Sequence, residues 1–193
     1  MKPVDLGPGE ALLREGDPGR CVVVLPGVAY FSQAPLLWFA REAAQQHGWS
    51  VLELTERAPA GEEPFAWMRD RAERALATAA ASAARVAVVG KSLGSVAARL
   101  AADRELPAVW LTPLLVRPEV GGALAAASAP TLLVGSPDDP TWASDAVPAG
   151  ESLEVLELPG LDHSLQAERD TEASLEALRT VTRRVRSFIA NLD

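Results

Sequence analysis

Several residue types that mark particular classes of protein are scarce in this sequence of 193 residues. The single cysteine, Cys21, cannot form a disulfide within the chain, and we expect it to be a small core residue in the reducing environment of the cytoplasm. The two histidines, His47 and His163, lie far apart without an H-x-x-x-H or H-E-x-x-H spacing. The sequence therefore predicts neither a metal site nor a cofactor.

Positive charge and long apolar runs are also in short supply. Acidic residues outnumber basic ones by 26 to 18, and the net charge of −8 argues against nucleic acid or an anionic membrane as the main partner. No apolar run approaches the roughly 20 residues of a membrane span, and the first residues lack the apolar segment of a signal peptide. With 48% apolar residues and no linker or repeat, residues 1–193 are expected to form one globular, cytoplasmic domain. No pattern predicts an oligomeric state.

What the sequence does contain is a regular alternation of apolar runs and helical stretches. The first two predicted strands flank the turn Gly16-Asp17-Pro18-Gly19 and are expected to pair as antiparallel neighbours. Buried strands that alternate with helices indicate an α/β fold of three layers, with a mostly parallel twisted sheet and helices on both faces. Ligands bind to such sheets beyond the carboxyl ends of the strands. The pattern predicts strands at residues 10–15, 21–25, 51–54, 85–89, 108–111, 131–134 and 153–158, and helices at residues 34–46, 64–84, 92–103, 122–127 and 168–191.

The stretch VAVVGKSLGSVAARL, residues 86–100, admits two functional interpretations. Its GKS could end a phosphate-binding P-loop, but Arg85 stands where that motif requires glycine, and the residues between are an apolar strand. The alternative is the G-x-S-x-G turn, which presents a nucleophilic serine, here Ser92, between a strand and a helix. Gly90 and Gly94 would let the chains pass closely there. An ordinary turn in which Ser92 caps the helix is the structural alternative.

A nucleophilic serine needs a base, and the base needs an acid that fixes its tautomer. In hydrolases built on the G-x-S-x-G turn, these groups follow in the order Ser, Asp or Glu, His. The sequence provides Asp138 and Asp139 after one later strand and His163 after the last one, so the order holds. Either aspartate can be the acid, because Asp138 fits a G-x-x-D spacing and Asp139 precedes Pro140. His47, beside a glycine at a helix end, is expected to have an exposed or capping role.

The segments GKSLGS, GSPDDP and GLDHSL resemble motifs of the α/β-hydrolases, in particular small lidless members of the dienelactone-hydrolase-like and retinoblastoma-binding-protein-like kind. The resemblance extends from Cys21 to Phe188. It implies Ser92 as the nucleophile and His163 as the base. For the acid it favours Asp139, because relatives with a G-S-x-D-D-P segment resemble this stretch with the second aspartate in the triad.

The negative charge that develops on a substrate carbonyl oxygen needs backbone N–H donors. One donor is expected to be Leu93, directly after the nucleophile. The second is expected from the loop after the strand at 21–25, where many family members have His-Gly and this chain has Pro26-Gly27. Because proline has no N–H and the donor normally follows the glycine, we assign Val28, with Ala29 as the alternative.

Too few residues separate the strands at 108–111 and 131–134 for an inserted lid domain, so the pocket is expected to be open and shallow. These features predict a serine hydrolase that cleaves a small ester or thioester. The alternatives are an acyl transferase on the same triad and a non-enzymatic module that binds a ligand or partner. Core packing suits Trp110 as well as a place in the pocket. The substrate-binding wall is predicted to comprise Ala29, Tyr30, Trp110, Leu114, Leu115 and Trp142.

Overall fold

The structure is a computed structural model that describes residues 1–7, 9–58, 64–147 and 149–192. Its strands are β1 (Lys2–Asp5), β2 (Glu10–Arg14), β3 (Asp17–Leu25), β4 (Trp49–Leu54), β5 (Arg85–Lys91), β6 (Ala108–Leu111), β7 (Thr131–Gly135) and β8 (Leu153–Glu157). Its helices are α1 (Pro35–Gln46), α2 (Pro64–Ser82), α3 (Ala98–Asp103), α4 (Pro118–Ala125) and α5 (Thr171–Ala190). A 3₁₀ turn at Ser92–Ala97 leads directly into α3, and a shorter one lies at Ser144–Ala146.

Within the described residues, eight strands form one sheet in the order β1-β2-β4-β3-β5-β6-β7-β8. From β4 to β8 in this order, each strand runs parallel to the next one. At the other end of the sheet, β2 is antiparallel to both β1 and β4. Helices α2, α3 and α4 cover one face of the sheet, and α1 and α5 cover the other. The predicted α/β fold, a mostly parallel sheet between two helical layers, is confirmed.

The central strand β3 is buried on both faces, and for this reason its sequence is a continuous apolar run. Val22 and Val24 point into the core under α1 and α5, while Cys21, Val23 and Leu25 point into the opposite core. Side chains alternate between the two faces of a strand, and here helices cover both faces. All five side chains are therefore buried. Burial raises the pKa of the Cys21 thiol to about 11, which suits a core residue.

The predicted pairing of the first two strands is wrong, because β4 lies between β2 and β3 and pairs with both. The connection between β2 and β3 crosses the start of β4. There the Asp17 amide donates to the Gly48 carbonyl at 2.6 Å, and the Gly16 amide donates to the Ser50 hydroxyl at 3.0 Å. Turn-forming residues give the same sequence signal for such a crossing as for a hairpin. Sequence patterns also miss β1, since its exposed edge position requires no apolar run.

The connection between β6 and β7, residues 112–130, holds α4 and no lid domain, as predicted. Helix α4 begins at Pro118, earlier than the predicted residue 122, because proline is favourable in the first turn of a helix. Gly48 has a φ of +79° just beyond α1, as expected for a glycine after a helix end. None of the helices in the described ranges is both long and apolar enough for a membrane span.

Candidate active site

Three of the predicted functional residues follow strands of the parallel part of the sheet. Ser92 follows β5, Asp139 follows β7 and His163 follows β8. Parallel strands place the loops after them at the same edge. The fold therefore brings His163 into contact with Ser92 and with Asp139, although these residues are 71 and 24 positions away in the chain.

Ser92 directly follows β5 and is the first residue of the 3₁₀ turn that leads into α3. Its φ of +51° is one that residues other than glycine rarely adopt. Both flanking glycines are required by close packing. A Cβ on Gly90 would lie 2.5 Å from Cζ3 of Trp110, and one on Gly94 would lie 2.7 Å from the Leu25 carbonyl oxygen. The turn thus has the strained strand–turn–helix geometry of a nucleophile elbow.

The Ser92 hydroxyl begins a relay of two hydrogen bonds. Its Oγ is 2.7 Å from Nε2 of His163, and Nδ1 of the same ring is 2.7 Å from Oδ2 of Asp139. When the hydroxyl donates to Nε2, the ring carries its proton on Nδ1 and donates it to the carboxylate. The carboxylate is fully buried, whereas the imidazole is 33% exposed. Such an arrangement can accept the serine proton and stabilise the resulting imidazolium.

Thr141 completes the surroundings of Asp139, and sequence reasoning missed it. Its backbone N–H and its hydroxyl both donate to Oδ1 of Asp139 at 2.9 Å, and its Oγ1 lies 3.0 Å from Nδ1 of His163. Oδ1 is thereby occupied, which leaves Oδ2 for the imidazole. The sequence carried a signal for this contact, because an aspartate often accepts from the residue two positions later in an Asx turn.

Asp138 has a different partner from its neighbour. Its Oδ2 accepts a hydrogen bond from the Gly160 amide at 2.6 Å, and its side chain is exposed. This bond joins the loop after β7 to the loop that carries His163. Of the two aspartates that the sequence left as alternatives, the structure brings Asp139 to the imidazole. His47 is the C-terminal cap residue of α1.

The loop after β3 packs against the nucleophile from another side. A Cβ on Gly27 would lie 3.3 Å from Cβ of Ser92, and the Gly27 amide donates to the Tyr30 carbonyl at 2.9 Å. Val28 follows in this loop and is exposed. Leu93 is the second residue of the 3₁₀ turn, and the first amides of a helix have no acceptor within it. Of the two predicted oxyanion donors, Val28 thus follows a glycine that packs against the nucleophile, and Leu93 follows the nucleophile itself.

Solved structures with the same architecture cover nearly the whole chain. Est1E from Butyrivibrio proteoclasticus, with ferulic acid bound, has a TM-score of 0.75 and 15% identity over 99% of this chain and 98% of its own. XC6422 from Xanthomonas campestris, an α/β serine hydrolase without a lid, has a TM-score of 0.62 and 18% identity over 95% of this chain and 93% of its own. Mouse alpha/beta hydrolase domain-containing protein 10 has a TM-score of 0.69 and 10% identity over 100% of this chain and 99% of its own. The chain has the α/β-hydrolase fold.

The resemblance to lidless α/β-hydrolases that the three sequence motifs predict is confirmed at the level of the fold. No family model matches the chain, and no curated protein matches it. At sequence identities of 10–18%, the similarity to these solved structures shows a shared fold and nothing about the reaction. The chemistry of this α/β-hydrolase fold therefore rests on its own side chains.

Three of the residues predicted to line the pocket are buried, two tryptophans and Leu115. Trp110 and Trp142 are 1% and 0% exposed. Trp110 packs against Gly90 under the elbow, and the Trp142 ring donates from Nε1 to Glu157 at 2.7 Å. These two rings support the loops from below and do not form the substrate wall, contrary to the sequence prediction.

The other predicted wall residues are accessible. Ala29 is exposed, and Tyr30 and Leu114 are half-buried. The Leu114 amide donates to the Ser95 hydroxyl at 3.1 Å, and that hydroxyl donates to the Ser92 carbonyl at 2.7 Å. The backbone of Leu114 is thereby joined to the elbow through Ser95.

A cavity of about 220 Å³ lies between the start of α1, the loop after β8 and the first half of α5. Its lining includes Tyr30, Leu36 and the two residues that directly follow His163, Ser164 and Leu165. Ser92, Asp139 and His163 are not among the residues that line this cavity. The described ranges contain no group of three or more His, Cys, Asp or Glu side chains placed to hold a metal ion.

Lys91, directly before the nucleophile, is a buried cation that sequence reasoning did not single out. Its Nζ donates to the His163 carbonyl at 2.9 Å and lies 4.7 Å from the centroid of the Tyr30 ring. Burial lowers the pKa of Lys91 to about 8, and the negative charges of Asp139 and Asp162 oppose this shift. Burial also raises the pKa of Tyr30. The position of a charged residue at the end of an apolar strand was the signal in the sequence that could have indicated a buried cation.

Proposed function

We propose that the chain is a serine hydrolase of small carboxylic esters or thioesters, with Ser92 as nucleophile, His163 as base and Asp139 as the acid that orients the base. The observation that carries the proposal is the relay from Ser92 Oγ to His163 Nε2 and from Nδ1 to Asp139 Oδ2, with 2.7 Å at each contact. A relay on a strained turn suits nucleophilic attack. Neither a binding module nor core packing requires it.

In the first half-reaction, Oγ of Ser92 attacks the carbonyl carbon while Nε2 of His163 takes the hydroxyl proton. The backbone N–H groups of Leu93 and Val28 stabilise the negative charge that develops on the carbonyl oxygen. Asp139 holds Nδ1–H in place and stabilises the imidazolium. The tetrahedral intermediate then collapses, the departing alcohol or thiol takes the proton from Nε2, and the acyl group stays on Ser92.

In the second half-reaction, a water molecule replaces the leaving group. His163 takes a proton from the water as it attacks the acyl carbon, and returns the proton to Oγ of Ser92 as the carboxylic acid leaves. An acyl transferase would admit another alcohol or amine at this step. The imidazole is 33% exposed, so water reaches it freely, which favours hydrolysis over transfer.

The proposed substrate is small. The connection between β6 and β7 holds α4 and no lid that could enclose a long acyl chain. Est1E, which shares the fold, has been solved with ferulic acid bound, and a small carboxylic ester as substrate is consistent with that neighbour. The cytoplasmic location that the sequence predicts is part of this proposal.

Replacement of the nucleophile tests the proposal. Ser92→Ala should abolish labelling by a fluorophosphonate probe and lower kcat for p-nitrophenyl acetate by on the order of 10⁶, because triad members act as a unit. The free energy of unfolding in urea should change by less than about 1 kcal/mol, since no large group is lost from the core. Ser144→Ala alters an exposed serine outside the relay and should keep both labelling and turnover.

The outcomes separate the proposed enzyme from the alternatives. Turnover or labelling that persists in Ser92→Ala would refute the assignment of the nucleophile. A folded wild-type protein that neither reacts with the probe nor hydrolyses any short p-nitrophenyl ester would indicate a binding module instead.

A further inference from the structure

Lys91 occupies the position between the first glycine of the elbow and the nucleophile, and its side chain is 1% exposed. Its stem passes the loop after β3, with Cδ 3.4 Å from the place of a Cβ on Gly27. Its Nζ donates to the His163 carbonyl at 2.9 Å and lies 4.7 Å from the centroid of the Tyr30 ring. One side chain therefore connects the elbow of Ser92, the loop of the oxyanion donor and the loop of the base.

Packing alone does not account for a lysine at this position. A buried ammonium group is desolvated, which is unfavourable, and a methionine of similar length would fill the same space without a charge. The groups that face Lys91 make the charge tolerable. Asp139 and Asp162 interact favourably with it, the face of Tyr30 attracts a cation, and His163 offers its carbonyl oxygen.

We propose that the ammonium group of Lys91 is a positioning group, which fixes the backbone of His163 and so directs its imidazole at Ser92. The inference rests on the proposed hydrolase function. A charged donor forms a stronger hydrogen bond than a neutral one, so the protonated amine holds the carbonyl more firmly than the neutral amine does. Catalysis depends on how precisely the imidazole of His163 is held, because a displacement of a catalytic group by about 1 Å can lower the rate about 10²-fold.

Lys91→Met tests the role by removing the charge and the donor while keeping the length of the side chain. We expect kcat for p-nitrophenyl acetate to fall about 10- to 100-fold, with KM nearly unchanged because the exposed substrate surface is intact. Lys2→Met is the matched control. Lys2 is the only other lysine of the sequence, and its side chain is exposed. The control should keep the wild-type kcat.

The pH profile of the wild-type protein supplies a second test that needs no folded Lys91 variant. Burial lowers the pKa of Lys91 to about 8, so its charge is present below that pH and is lost as the pH rises through it. The wild-type kcat should therefore fall with a midpoint near pH 8. Lysine-selective ¹³C labelling gives one NMR signal for each of the two lysines, and Lys2→Met assigns them. The midpoint of the kcat profile should coincide with the titration of the Lys91 signal.

Two results would overturn the positioning role. One is a Lys91→Met variant with the kcat of the wild type. The other is a wild-type kcat that stays flat while the NMR signal of Lys91 titrates. A wild-type protein that shows neither turnover nor probe labelling would refute the proposed hydrolase function instead, and the lysine titration would still be measurable in it. The two failures are therefore distinguishable.

Discussion

Glu53 in β4 and Asp139 after β7 are both fully buried carboxylates, yet their partners differ in kind. Glu53 accepts hydrogen bonds from Arg14 and from the buried Arg41, each at 3.2 Å. Guanidinium groups stay protonated at every accessible pH. Glu53 is therefore held in a permanent ion pair that joins β2, β4 and α1.

Asp139 faces a partner whose charge can change. Its Oδ2 contacts the imidazole of His163, and its Oδ1 accepts from the neutral hydroxyl of Thr141. An imidazole can take up a proton and release it during a reaction, so the carboxylate beside it can contribute to catalysis. The comparison teaches that the partner, rather than burial, decides whether a carboxylate contributes to stability or to turnover. Substitutions of the two carboxylates should separate these contributions.

The largest effect is expected for Asp139→Asn. An asparagine cannot fix the Nδ1–H tautomer of His163 or stabilise its imidazolium, and by comparison with other triads kcat should fall by on the order of 10⁴. Asp138→Asn is the matched control, since Asp138 is exposed and contacts the Gly160 amide instead of the ring. Its kcat should fall by less than about tenfold.

Steady-state hydrolysis of p-nitrophenyl acetate by both variants checks this prediction. If Asp138→Asn is the more damaging substitution, the roles of the two aspartates are reversed. If neither substitution lowers kcat, Asp139 has no catalytic role that distinguishes it from Glu53.

The next effect concerns stability and is expected for Glu53→Gln. The substitution removes the buried negative charge that faces Arg14 and Arg41, and leaves Arg41 with the partly exposed Glu42. We therefore expect a loss of about 3 kcal/mol, the lower end of the range for breaking a buried pair. Urea unfolding should show this loss, while kcat/KM of the folded variant should stay close to the wild-type value. Glu15→Gln breaks only an exposed pair with Lys2 and should leave the unfolding curve unchanged. A catalytic defect in Glu53→Gln without a loss of stability would contradict the division of roles.

The parts of the molecule that could be predicted from the sequence are those that depend on local pattern. Strand β6 was predicted with the bounds that the structure has, because Ala108–Leu111 is an apolar run that ends at Thr112-Pro113. The two glycines around Ser92 likewise indicated the tight turn at the end of β5. That residues 1–193 form one domain is still a prediction, and a single cooperative urea transition would support it.

The parts that could not be predicted depend on contacts through space. Turn-forming residues between β2 and β3 do not reveal that β4 inserts between these strands. Trp110 reads as an apolar residue near a strand end, and only its contact with Gly90 shows that it supports the elbow from below. Lys91 reads as an exposed cation, since no sequence pattern indicates that the His163 carbonyl lies within reach of its amine.

The smallest effect is expected for Thr141→Val, which removes the hydroxyl from the Asp139 side of the comparison. The backbone N–H of residue 141 still donates to Oδ1 of Asp139, so the carboxylate keeps one of its two local donors. A lost hydrogen bond of about 1.4 kcal/mol corresponds to a roughly tenfold fall in kcat. Thr141→Ser keeps the hydroxyl and should restore most of the wild-type kcat. If the serine variant is as slow as the valine variant, the methyl group of Thr141 matters rather than its hydroxyl. In that case Asp139 is oriented by packing, as a structural carboxylate would be, and the contrast with Glu53 is weaker than the hydrogen bonds indicate.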